Sequence, residues 1–378
     1  MIAEIRSLQT CLASIPDPRK KRGVRYPFVP MLLLVLVGLL SRQVTLQGII
    51  DHASLHWDVI GSALGFVGIF GVPHATTLSR LLARVSPELL QTAFAQWLAQ
   101  LVTEIVEEAS VDGKYPHQYR DEQGNSFGLL NIFAHEVKAC LYQWLVSEKE
   151  AEPSVLKEHL DELFATYPNL RILTGDALFA QRPLSEALVA AKRGYLWRIK
   201  GNQPSVRQAI ELTFEKACQR KPDAQTTDKK DGAIEIRKLW VDEETAVYAQ
   251  QELGFPGAQQ VARLDKTVRN ILTGVEKTET WYLISHDPRG PLSAERLLQR
   301  TRNHWKIENS LHHVEDRSWD EDRHTLHRPG AGVCFSMLLG MALSILQLAS
   351  IFDTKLSMPR RAKRCEANPR LALNLLMI

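Results

Sequence analysis

Apolar residues fall at helical spacing through the first hundred positions. Leu90, Phe94, Leu98 and Leu101 recur on one helical face, and a second apolar run follows Pro30. Thr76-Thr77 ahead of Leu78 and Leu81-Leu82 reads as a capped helix start. Residues 1–103 are therefore expected to form a helical domain. A helix-turn-helix would fit inside it, but no decisive turn signature is present, and a plain bundle accounts for the same pattern. From about residue 104 the period changes. Ala109 to Asp112, Leu129 to Ala134 and Cys140 to Val146 read as three strands, and Val155 to Phe164 as an amphipathic helix. Leu170 to Leu173 is a short apolar strand that runs out at Thr174-Gly175-Asp176. Leu184 to Ala191 is a helix with Gly194 as its C-cap, Tyr195 to Lys200 a strand, and Pro204 to Cys218 a helix with proline at its start.

Strands first, then helix and strand in alternation, make a mixed α/β sheet with helices on its faces. The order β-β-β-α-β-α-β is that of a ribonuclease-H-like core. Residues 222–285 interrupt it: Lys221-Pro222 to Gly232 reads as a polar loop, followed by β-like runs at Ile234 to Val241 and Glu279 to Ser285. Residues 292–322 return to a long helix. The expected organisation is an N-terminal helical domain (1–103), a catalytic domain (104–221 and 286–352), a β-rich insertion (222–285) and a basic C-terminal tail (353–378).

Composition changes this picture little. The 378 residues are 45% hydrophobic and 24% charged with a net charge of +3, ordinary for a globular protein. The charge is unevenly placed, however. Residues 1–26 carry six basic against two acidic side chains, and residues 353–370 again six against two. Such ends suit phosphate contacts, or are simply solvated. Five scattered cysteines without a C-x-x-C pair argue against a disulfide framework and a structural zinc site, and point to a reducing cytoplasm. No secretory signal opens the chain. The uncharged run Ala331 to Phe352 is long enough to cross a bilayer, but its serines and Gln347 favour a helix buried against a sheet.

Candidate chemistry lies in three carboxylates. Asp112 and Asp176 each stand where a strand runs out, the edge at which open α/β sheets bind ligands. Glu308 lies on the late helix, one position round from an apolar stripe of Ile307, Leu311 and Val314, in a row with His312 and Glu315. Three acids from distant parts of a chain can hold two Mg²⁺ ions, with Mn²⁺ as a substitute, and such a pair supplies what phosphodiester transfer needs. Spacing alone does not single this triple out from 43 acidic residues. The run His312, His313, Glu315, Asp316, Asp320, Asp322, His324 and His327 is dense in metal-ligating residues but lacks the H-E-x-x-H spacing of a zinc site. Asp316 suits a supporting carboxylate.

Val111-Asp112-Gly113-Lys114, Thr174-Gly175-Asp176-Ala177, Lys200-Gly201-Asn202-Gln203 and His304-Trp305-Lys306-Ile307-Glu308-Asn309-Ser310-Leu311-His312 occur in that order. Together with Asp17-Pro18-Arg19, Arg22-Gly23 and Asp231 to Arg237, the chain resembles the ISAs-type insertion-sequence transposases, the group of the H-repeat-associated proteins, from about residue 15 to 350. The resemblance implies a ribonuclease-H-like DDE transposase with Asp112, Asp176 and Glu308 as catalytic and metal-holding residues. It implies DNA, both element ends and target, as partner, and a dimer or larger assembly on paired ends, with no membrane and no small-molecule substrate. Lys114, Lys200, Asn202, Gln203, Arg302 and His304 are the candidate DNA contacts. The chain departs from the family at Tyr115-Pro116-His117-Gln118, Leu178-Phe179-Ala180-Gln181 and Lys149-Glu150-Ala151-Glu152. A nuclease of the same fold that does not join ends, or an inactive DNA-binding relative, would carry the same triad.

Overall fold

The computed structural model describes residues 6–376 except positions 70, 118, 218, 231, 306, 322–325, 327 and 350–354, and omits the side chains at 216, 217, 230, 309 and 310. The first hundred residues form α1 (Leu8–Leu12), α2 (Phe28–Leu40), α3 (Leu46–Leu55), α4 (Trp57–Leu64), α5 (Ala75–Leu82) and α6 (Pro87–Val102). Local chemistry sets their starts. Ser86 Oγ accepts from the Leu89 amide and Pro87 fills the first turn of α6. At α5 the cap is His74, whose Nδ1 accepts from the Thr76 amide, rather than either threonine.

The three expected strands are β1 (Glu108–Lys114), β2 (Gly128–Ala134) and β3 (Ala139–Val146). The expected single amphipathic helix is two short ones, α7 (Glu152–Glu158) and α8 (Leu160–Thr166), parted at His159. Next come β4 (Ile172–Gly175), α9 (Arg182–Ala190), β5 (Gly194–Ile199) and α10 (Pro204–Ala217). Gly194 is not the C-cap of α9. Lys192 takes the left-handed conformation (φ 56°), while Gly194 opens β5, where an added Cβ would lie 2.5 Å from the His286 carbonyl.

The stretch read as a polar loop forms a strand, β6 (Ala224–Lys230), followed by β7 (Ala233–Asp242), α11 (Glu244–Gln251), β8 (Gln260–Asn270) and β9 (Glu276–His286). Residues 222–285 do not make a separate layer. β9 pairs antiparallel with β5, and the whole is one nine-stranded sheet in the order β3-β2-β1-β4-β5-β9-β8-β7-β6. Its first five strands, antiparallel across β3, β2 and β1 and parallel across β1, β4 and β5, have the expected core order.

Helices cover both faces of this core. Side chains alternate along β3: Trp144 stacks on His159 between α7 and α8, whereas Gln143 meets Gly340 on the other face. The late helix is not continuous. It consists of α12 (Ala294–His304), a wide π turn over Glu308–His312, and α13 (His313–Ser318). The uncharged run is α14 (Ala331–Leu348), buried from Ala331 to Leu346 between β3 and helices α2, α5 and α6. It is the described helix long and apolar enough to cross a membrane, and it is a core helix here. Residues expected as a basic tail fold into α15 (Met358–Ala367) and α16 (Pro369–Leu376), which bury Cys365, Leu373 and Leu376 and leave Arg360, Lys363, Arg364 and Arg370 exposed.

Candidate active site

β1 and β4 run parallel with Ser110 opposite Thr174 and Val111 opposite Gly175. Two residues on from the first pair, on the same face, stand Asp112 and Asp176. Asp112 is not at the end of its strand as expected, since β1 continues to Lys114 against β2, but it lies just past the last residue paired with β4, beside Asp176. Asp176 Oδ1 accepts from the Leu178 amide at 2.8 Å, and Asp112 Oδ1 from the Gly113 amide at 3.0 Å. Burial, then the Asp176 charge and then that of Glu152, push the Asp112 carboxyl up to about 7. Two close carboxylates are a donor set suited to a divalent ion.

Glu308 comes from the helix above. Four residues before it, His304 Nδ1 lies 3.2 Å from Thr174 Oγ1; four after it, His312 Nδ1 lies 3.6 Å from Asp112 Oδ2. His304 is thus hydrogen-bonded to β4 and His312, through Asn131 Nδ2 at 3.2 Å, to β2, where its Nδ1 faces Asp112; Glu308 between them is exposed. Among the described residues no three carboxylate, histidine or cysteine side chains are close enough together to hold a metal ion. Of the dense His/Asp run, Asp322, His324 and His327 lie outside the described residues, as does Lys306 of the motif around Glu308.

The expected DNA contacts are distributed differently. Lys200 is exposed, and with Asp176, Gln181, Arg182, Asn202 and Gln203 it lines a groove of about 590 Å³. The Asn202 and Gln203 amides donate to the Ala177 and Ala180 carbonyls at 2.6 and 2.8 Å, clamping the turn after Asp176. Arg302 pairs with Asp228 of β6 at 2.9 Å. His304 is held in a chain of hydrogen bonds, His135–Ser110–Thr174–His304, with links of 2.6, 2.8 and 3.2 Å. Burial lowers its pKa to about 4, so it is neutral. Lys114 points into the protein. Its ammonium meets Glu315 at 2.8 Å, Asp316 at 2.9 Å and Glu321, which Ser336 also contacts. With its side chain only 10% exposed, Lys114 anchors α13 to β1 and presents no free charge to phosphate.

Three features escaped the sequence. Glu152, 1% exposed, reaches the same sheet edge from the opposite face, where Tyr115 donates to it at 2.8 Å and the missing Cβ of Gly113 leaves it room. A second cavity of about 80 Å³ beside Asp176 is lined by Arg198, Trp281, His304 and Trp305, with the Arg198 guanidinium 4.6 Å from the Trp281 ring. Third, Asn131 and Gln143 are polar positions in otherwise apolar strands. Only the last had a sequence signal, since a buried strand seldom spends a position on an amide.

A family model described as the transposase DDE domain matches residues 110–345, and one described as DDE_Tnp_1-associated matches residues 9–98. The "H repeat-associated putative transposase YhhI" of Escherichia coli (strain K12) is 24% identical over 97% of this chain and 97% of its own length. The "Putative transposase YncI" of Escherichia coli O157:H7 is 26% identical over 96% of this chain and 93% of its own. A cryo-EM structure of the piggyBac transposase synaptic complex with hairpin DNA aligns with a TM-score of 0.41 at 9% identity, covering 98% of this chain and 77% of that one.

Proposed function

The chain belongs to the family of transposases with this DDE domain, and from that premise we propose that it cuts DNA at the ends of an insertion sequence and joins the freed 3′ ends to target DNA. Asp112, Asp176 and Glu308 are the residues assigned to hold Mg²⁺, with Mn²⁺ as substitute. The observation that carries this reading is the register of β1 on β4, which sets Asp112 beside Asp176 where the pairing of these two strands ends, with Glu308 flanked by His304, hydrogen-bonded to β4, and by His312, whose Nδ1 faces Asp112. The closeness of the two carboxylates, which adds to burial in raising the Asp112 pKa, supports a divalent cation there.

When bound, the ions would polarise the scissile phosphate and activate an oxygen nucleophile at neutral pH. The protein's own side chains do the rest. Asp112, Asp176 and Glu308 would hold the ions at the edge of the sheet. Lys200 and Arg182, in the groove beside Asp176, neutralise phosphates of the strand that runs past it. Asn202 and Gln203 hold the 177–180 turn and so keep Asp176 at the strand end. Water and then a 3′-hydroxyl serve as nucleophiles, which leaves no covalent role for a protein side chain. Two copies on paired DNA ends are the expected assembly.

The test is cleavage of DNA carrying the flanks of the gene's own element, with Mg²⁺ or Mn²⁺, by the wild type, Asp112→Ala and Glu308→Ala. Cleavage by the wild type that disappears in both variants supports the assignment. Undiminished cleavage by either variant removes that residue from it. End binding without cleavage in the wild type makes the chain an inactive relative.

A further inference from the structure

Buried polar side chains form one continuous row across β3, β2 and β1. In the antiparallel register Gln143 lies opposite Asn131, and Asn131 opposite Asp112. Gln143 Nε2 donates to Asn131 Oδ1 at 3.0 Å, and the Cys140 thiol adds a weak contact to the same oxygen at 3.7 Å. Asn131 Nδ2 donates to the Leu129 carbonyl at 3.0 Å and reaches His312 Nε2 at 3.2 Å. These partners allow one orientation of the Asn131 amide, with its NH₂ toward the imidazole. Nε2 of His312 must then accept. A neutral ring that accepts at Nε2 carries its proton on Nδ1, and Nδ1 is the atom that faces Asp112 Oδ2.

We propose that His312 is a positioning residue for Asp112: Gln143 and Asn131 lock the imidazole as the Nδ1–H form, and that N–H fixes the plane of the Asp112 carboxylate and holds Oδ2 toward the helix. The Gly113 amide occupies Oδ1, so closure of the Nδ1–H contact would hold the carboxylate from both oxygens. The inference rests on Asp112 being a cation ligand. A separation of 3.6 Å is longer than a hydrogen bond. A movement of about half an ångström closes it, the tightening that loaded sites commonly undergo. His312 and Glu308 are the two ends of the π turn, and such widened turns recur at functional sites. One turn thereby supplies Glu308 and orients Asp112.

The test uses the full chain. In metal-free protein labelled with ¹⁵N-histidine, long-range ring correlations by NMR report the tautomer, and His312→Phe assigns the resonance. Mn²⁺ affinity is then measured by EPR for the wild type, His312→Phe, His312→Gln and Asp112→Asn. The expected results are a protonated Nδ1 in the wild type and a roughly tenfold weaker Mn²⁺ affinity in His312→Phe, the size usual for losing a ligand's supporting partner. His312→Gln, whose amide can both accept from Asn131 and donate to Asp112, should regain most of that loss. A wild-type proton on Nε2 overturns the proposal even if the phenylalanine variant fails to fold. Wild-type Mn²⁺ affinity in His312→Phe, with Asp112→Asn impaired, also overturns it and leaves the Asp112 assignment standing. Unchanged affinity in Asp112→Asn overturns both.

Discussion

Ser110 and Thr174 face each other across β1 and β4 with their hydroxyl oxygens 2.8 Å apart, directly beneath Asp112 and Asp176. Each has a histidine as its other neighbour, His135 for Ser110 and His304 for Thr174. This buried chain ties the helix bearing Glu308 to the two strands bearing the aspartates. Thr174→Val removes the central hydroxyl while keeping its shape, so buried partners lose a hydrogen bond. A loss of about 1–3 kcal/mol in urea unfolding is expected, with a fall in cleavage under conditions where the variant remains folded. Unchanged stability would mean that the chain is not a fastening.

Lys114 supplies one positive charge to three carboxylates. Lys114→Met leaves Glu315 and Glu321 buried without a counter-charge, a class of change that costs about 3–5 kcal/mol. Burial pushes Glu315 upward even in the wild type. Protonation therefore relieves the variant, and its deficit should shrink as pH falls from about 8 to about 5. DNA affinity per folded molecule should be unchanged. A selective loss of DNA binding in samples matched for folded fraction would return Lys114 to the DNA interface.

Acid should destabilise the protein through its buried imidazoles. His304 is lowered from 6.5 to about 4, and His312 to about 3, both chiefly by burial. A depressed pKa means that the folded state resists protonation. This contribution is complete above about 6.5 and lost as pH falls through 4. His304→Gln should flatten the thermal stability profile over that window by on the order of 1–3 kcal/mol. An identical acid limb in the variant would show that His304 does not titrate with unfolding.

Asp112 has the opposite sign. Its folded pKa is raised to about 7, so its penalty to the metal-free protein grows as pH rises from about 4 to about 7. A divalent cation relieves that penalty and competes with the proton. Mg²⁺ should raise the melting temperature more at pH 8 than at pH 5, and the pH dependence should vanish in Asp112→Asn. Equal shifts at both pH values would argue against Asp112 as a ligand.

Lys200 and Arg182 flank the groove at Asp176. Replacing both with alanine should weaken binding to all DNA sequences alike and lower the dependence of log affinity on log salt by about 2, close to 0.9 for each phosphate no longer neutralised. Fluorescence anisotropy from 50 to 200 mM salt, roughly the range over which such charges are felt, measures this. A sequence-selective loss would instead indicate contacts to bases.

The sequence carried what depends on local pattern. Short, largely apolar runs at 109–112, 129–134 and 140–146 read as three strands, and the motifs around Asp112, Asp176 and Glu308 named the candidate carboxylates and the family. Patterning failed where the partner is remote. The charged stretch 224–230 reads as a loop because its half-exposed strand is stabilised by pairing with β7 rather than by alternation. The basic C-terminus reads as a tail because a few apolar residues, Cys365, Leu373 and Leu376, suffice to dock it on the N-terminal helices.

Side-chain direction was likewise decided only in three dimensions. Lys114 and Lys200 are equally basic in sequence, yet one is enclosed by Glu315 and Glu321 and the other faces a groove. His304 and His312 look like polar-face residues of a helix until that helix is laid across β1 and β4. Composition and period determine which segments form helices and strands. The register between distant strands decides which charges meet, because burial makes each unpaired charge costly and each paired one specific.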